Sequence, residues 1–198
     1  MIDPSTSESD RRRRVLDAAL TVFARFGFRK TSMDEVARVA DISRQGLYFL
    51  FRNKEELFRE ALTKMMQDGL AAVEAELARD APIDVRLIGA MKVWYGRSVG
   101  SLGDNADELF ARSVVLLGDL MERYVATVLE RLIDAIAASP MAERLSRRSL
   151  TPADAAHTLH YCGLGLKHEK ITRAEFTVRL AAAVRLVTGE QGRGGELG

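Results

Sequence analysis

The chain has 198 residues, 47% of them hydrophobic, and a net charge of +1. That length allows one large domain, or a small one joined to a medium one, with a core that needs no covalent staples. The single cysteine, Cys162, excludes an internal disulfide framework, and the near-neutral balance excludes any argument from bulk charge. No stretch reaches the roughly 18 uninterrupted apolar residues of a membrane span. Residues 1–10, MIDPSTSESD, lack the basic and apolar regions of a secretory signal. A cytoplasmic location is expected.

Residues 1–10 are polar and expected to be disordered. From Arg11, apolar residues recur at Val15, Ala19, Val22, Phe23 and Phe26 with helical period, and the pattern stops at Gly27. Ser32-Met33-Asp34-Glu35 is a capping box that opens a short helix buried through Met33, Val36, Ala37 and Ala40. Asp41 then stands in a tight turn that needs a left-handed residue, which Asp tolerates. Ser43 caps the next short helix, Arg44–Phe51, which is expected to bury Leu47, Leu50 and Phe51. Asn53-Lys54-Glu55-Glu56 opens a long helix to about Ala78, ended by Asp80-Ala81-Pro82.

The remainder also reads as helix. Val85, Ile88, Met91, Tyr95 and Val99 form one face, followed by a break, GSLGDN, from Gly100. A stretch from about Ala106 to Ala138, interrupted near Gly118-Asp119, carries a stripe of Met121, Tyr124, Val125, Val128 and Leu132. Ser139–Ser149 is predicted to be a loop. Thr151-Pro152-Ala153-Asp154 restarts a helix with Pro at its first position. Thr172-Arg173-Ala174-Glu175 is a further capping box, and its helix ends at Gly189 ahead of a glycine-rich tail. The predicted fold is all-α with about nine helices. It divides into a disordered N-terminus (1–10), a three-helix head (11–60), a larger helical bundle (61–188) and a disordered tail (189–198).

Two short capped helices joined by a tight turn are the physical description of a helix-turn-helix, whose second helix enters the DNA major groove. In Arg44–Phe51 the apolar residues face one way, while Arg44, Gln45 and Tyr48 face the other. Arg bonds bidentately to guanine and Gln to adenine, so this face is fit for base readout. Ser32, Ser43 and Lys54 lie at or beside helix N-termini, where they are expected to hold phosphate oxygens.

Residues 11–62 resemble the N-terminal domain of the tetracycline-repressor (TetR) family. The segments that carry the resemblance are VLDAALTVFARFGF, TSMDEVARVADIS and LYFLFRNKEELFREAL, in the family's order and spacing. The resemblance implies an all-helical fold, a homodimer, a double-stranded DNA operator, an effector pocket in the C-terminal domain, and no catalysis. Repression, relieved by the effector, is the family's usual mode. Two departures stand out: Asp41 where the family usually has glycine, and Gln45-Gly46 where a small residue and threonine are more common.

The helices 152–168 and 172–188 are expected to form the dimer through Leu159, Leu166, Phe176, Leu180, Val184 and Val187, with Gly163 and Gly165 permitting close approach. An apolar or amphipathic effector is expected to meet Met91, Trp94, Tyr95, Phe110, Met121 and Tyr124, because Trp and Tyr join large apolar area to a polar handle. The long helix from Lys54 is the expected lever between effector and DNA. The run Arg11–Arg14 reads either as a solvated helix start or as an arm contacting phosphates. His157, His160, Cys162 and His168 diverge around one helix, so no metal is expected. GLGLKH at 163–168 follows no strand and is no dinucleotide loop, so neither an enzyme nor a cofactor is expected. The rival reading is a helical protein-binding adaptor without sequence-specific DNA binding.

Overall fold

The computed structural model describes residues 4–96, 99 and 106–189, apart from the side chains of residues 4–7, 106–108 and 110. Ten helices account for the secondary structure of the described residues: α1 (Pro4–Lys30), α2 (Met33–Val39), α3 (Arg44–Leu50), α4 (Lys54–Leu77), α5 (Ile83–Tyr95), α6 (Ala106–Leu117), α7 (Asp119–Ala137), α8 (Met141–Ser146), α9 (Pro152–Lys167) and α10 (Arg173–Thr188). The caps fall where local chemistry places them. Ser32 with Glu35, Thr151 with Asp154 and Thr172 with Glu175 each satisfy two orphan amides reciprocally. Gly27, at φ 79°, kinks α1 where the apolar period stops, and Asp41 takes the left-handed conformation at φ 54°.

Several expectations are corrected. Helix α1 begins at Pro4, inside the 1–10 stretch expected to be disordered. Ser139–Ser149 is not all loop, because Met141 and Leu145 are fully buried and draw residues between them into the short helix α8. Helix α5 buries Ile83, Leu87, Ala90, Met91 and Tyr95, leaving Val85 exposed. The break GSLGDN and the tail 190–198 lie outside the described residues.

The chain forms two compact units. Among the described residues, one comprises 4–68 and 106–122, the other 69–96, 99 and 123–189. This differs from the expected division at residue 60, because α6 packs on α1 and adds Leu109 and Leu117 to the first unit's core. That core centres on Phe23, Phe28 and Phe58, whose ring centroids lie 4.8–5.8 Å apart. The second unit is built on α5, α9 and α10, which pack on one another around Leu87, Met91, Leu159, Phe176, Leu180 and Val184.

Candidate nucleic-acid interface

Helix α3 is held by three devices. Ser43 Oγ accepts from the Gly46 amide at 3.0 Å, the Leu47 side chain is fully buried, and Phe51, the C-cap, is 1% exposed. Leu50, expected to be buried, is half-buried. Against the preceding helix, the turn closes through Ile42 N–H donating to the Ala37 carbonyl at 3.0 Å. With Leu47 inward, Arg44, Gln45 and Tyr48 are exposed on the opposite side, where the sequence places them. Arg44 keeps 67% of its side chain exposed, while ion-pairing with Asp34 of α2 at 3.1 Å and lying 5.7 Å from the Tyr48 ring centroid. Both contacts hold the guanidinium on the outer face, and neither buries it.

Phe49 joins this surface and was not singled out from the sequence. It is 82% exposed. At 100° per residue Arg44, Tyr48, Gln45 and Phe49 fall within an arc of about 140°. The available signal was that angular position, well away from Leu47. Helical periodicity marks which residues leave the core, but it credits an aromatic to the core by default.

Lys54 does not stand as the sequence suggests. Its ammonium donates to the carbonyls of Phe28 at 2.8 Å, Arg29 at 3.2 Å and Thr31 at 2.9 Å, and lies 4.6 Å from the Phe28 ring centroid. All three donors are committed to the turn that follows Gly27, so in this state the residue ties α4 to α1 rather than presenting a free cation. Ser32 Oγ is likewise engaged within its capping box, accepting from the Glu35 amide at 3.2 Å. The arginine run divides as well. Arg12 turns inward, donating to the Leu50 carbonyl at 3.0 Å, pairing with Glu60 at 2.5 Å and covering the Phe51 ring at 4.4 Å.

The residues expected to meet an effector belong to different units. Met91, Trp94 and Tyr95 lie together on α5 in the second unit's core, and Trp94 covers Gly69. Met121 instead packs against the core of the first unit. Tyr124 is half-buried, and the Phe110 side chain lies outside the described residues. Tyr95 hydrogen-bonds His160 Nδ1, a contact across α5 and α9 that helical periodicity could not show. Burial drives the Tyr95 hydroxyl far above its ordinary value, so it keeps its proton and donates. Burial, with the charge of His157 adding to it, lowers His160 below its usual 6.5, which preserves the neutral acceptor.

The fold and this surface define a helix-turn-helix protein whose second short helix is dressed for double-stranded DNA. Residues 15–61 match the family described as "Bacterial regulatory proteins, tetR family". The chain is 41% identical over 59 residues to the HTH-type transcriptional regulator YhgD of Bacillus subtilis, a match spanning 30% of this chain and 31% of that protein. It is 27% identical over 180 residues to the regulator RutR of Escherichia coli, covering 86% of this chain and 82% of that one. A TetR-family transcriptional regulator from Rhodococcus sp. superposes with a TM-score of 0.67 at 26% identity, covering 91% of this chain and 99% of that one. Residues 15–61 therefore carry the DNA-binding domain of the TetR family, and the chain as a whole is similar to TetR-family transcriptional regulators.

Proposed function

We propose that the chain is a repressor that binds a pseudo-palindromic operator as a homodimer and is released by a small apolar or amphipathic molecule. One observation carries the DNA reading: Arg44, Gln45, Tyr48 and Phe49 form one exposed face on a helix whose other side is locked into the core. Arg44 and Gln45, in the first turn, read base edges, and Asp34 holds Arg44 in place between encounters. Tyr48 offers its hydroxyl to phosphate and its ring to the sugar. Two such helices related by a two-fold axis bind half-sites about 34 Å apart or a multiple of it. The protein works in the cytoplasm, where the DNA is. None of its helices, among the described residues, is long and apolar enough to cross a membrane.

The dimer uses α9 and α10, but not the stripe that the sequence suggests. Leu159, Phe176, Leu180 and Val184 are 0% exposed inside their own subunit, and Leu166 and Val187 pack against the same core. Gly163 likewise serves the subunit, because a Cβ there would stand 2.6 Å from the Tyr95 ring. The faces left outward carry Tyr161 and Leu164 on α9, and Val178, Ala182 and Leu186 on α10. Apolar stripes of this kind on two neighbouring helices suit a four-helix interface.

The effector is expected to lie against Trp94 and Tyr95, with the Tyr95–His160 pair as its polar handle. A ligand acts only through unequal affinity for the DNA-bound and released conformations. Selection from a randomised duplex pool tests the function directly. A recovered two-fold motif, with Arg44→Ala and Gln45→Ala relaxing preference at one position in each half-site, is the expected result. Only salt-labile, sequence-blind binding would favour an adaptor. Trp94 is the only tryptophan, so ligand quenching of its fluorescence reports the site directly. Trp94→Phe retaining full effector response would remove it from the site.

A further inference from the structure

The four-arginine run at 11–14 places neighbouring side chains in different roles. Arg12 is fastened inward to Leu50, Glu60 and Phe51, which fixes this part of α1 against the C-terminal end of α3. Arg11, one residue earlier, is exposed and reaches the other end of α3. Its guanidinium nitrogen stands 2.6 Å from the point a Cβ on Gly46 would occupy, and Ser43 Oγ lies 3.1 Å from the same point. The guanidinium therefore fills the space of a side chain that the recognition helix lacks. Around α3, Gly46 lies about 60° beyond Phe49, at the edge of the exposed face. Among the described residues no carboxylate pairs with Arg11. The reading face thus carries an uncompensated planar cation along one border.

We propose that Arg11 and Gly46 form a single contact to the DNA backbone: the missing side chain at Gly46 makes a slot, and Arg11 fills it from α1 to bind a phosphate at the edge of the major groove. This rests on the DNA-binding function proposed above. Guanidinium suits the task because its planar donors match phosphate oxygens bidentately and it is weakly hydrated. A phosphate contact fixes the register of the helix but carries no sequence information. Gly46 is the positioning residue, since it touches Arg11 rather than DNA. The close approach is to the far end of a flexible side chain, so a methyl group at Gly46 displaces Arg11 without unfolding the helix.

The test uses the full chain, fluorescein-labelled duplexes of the selected operator and of an unrelated sequence, and a salt series. Arg11→Ala should weaken both duplexes about 5- to 10-fold and reduce the logarithmic salt slope by about 0.9 per lost contact. Gly46→Ala should reproduce that loss, and the double variant should be no worse than either alone. Arg11→Lys should retain the slope at lower affinity, while Arg14→Ala changes neither. If wild type binds the operator but Arg11→Ala matches it, this proposal fails alone; if wild type binds neither duplex, both readings fail. Additive losses in the double variant would separate the two residues and refute the shared slot. Should Gly46→Ala reduce the melting temperature, the Arg11 variants, which leave the α3 backbone untouched, still decide the outcome.

Discussion

Lys54→Met removes the ammonium and keeps most of its aliphatic volume. Three carbonyls, of Phe28, Arg29 and Thr31, lose their donor at once, along with the cation over the Phe28 ring. A hydrogen bond to a charged group contributes about 1.5–3 kcal/mol net. The side chain is half-buried, so water replaces part of what is lost and the three bonds do not sum. The expected loss is about 3 kcal/mol in the N-terminal unit, or about 6–12 °C in Tm for a chain of this size. Urea denaturation followed by far-ultraviolet circular dichroism measures it. DNA affinity should fall only as far as the folded fraction falls, with an unchanged salt slope. A Lys54→Met chain of wild-type stability, with weaker binding to every sequence and a slope flatter by about 0.9, would refute this reasoning and restore Lys54 as a phosphate anchor.

The Tyr95–His160 pair makes stability depend on pH. His160 titrates lower in the folded chain than in the unfolded one, so its contribution is present above about 6.5 and is lost as pH falls through that value towards the lower folded one. Urea midpoints should decline from pH 7.5 to pH 5 and His160→Gln should flatten the profile; a wild-type profile already flat across that window would contradict the pairing. Gly163→Ala forces a methyl into the Tyr95 ring and the Met91 terminus, costing about 1–3 kcal/mol in thermal denaturation. Gly165→Ala meets open space and should not destabilise the fold, so equal costs at the two glycines would disprove the packing of α5 on α9. Leu186, 79% exposed, should tolerate Asp without loss of fold, yet Leu186→Asp should yield monomers in light scattering at micromolar concentration. Unchanged dimers would remove that face of α10 from the interface.

Interactions confined to a few neighbouring residues were legible in the sequence. The capping boxes at Ser32 and Thr172, the helix start with Pro152 at its first position, the left-handed turn at Asp41 and the stop at Gly27 each depend on atoms within about one helical turn, so residue order alone specifies them. The outward position of Arg44, Gln45 and Tyr48 follows from the burial of Leu47 by the same short-range geometry. Tertiary structure decided whatever joins distant positions. Periodicity shows that α9 and α10 each have an apolar face, but only the packing of α5 against them assigns Leu159, Phe176, Leu180 and Val184 to the subunit's own core. The sequence likewise offered Lys54 as a phosphate anchor, and Arg11 within a run that read either as a solvated helix start or as a phosphate-contacting arm. One is consumed by carbonyls more than 20 residues away, and the other rests against a glycine 35 positions later. A charged side chain takes its role from the partners within its few ångströms of reach, and the folded path of the chain decides which those are.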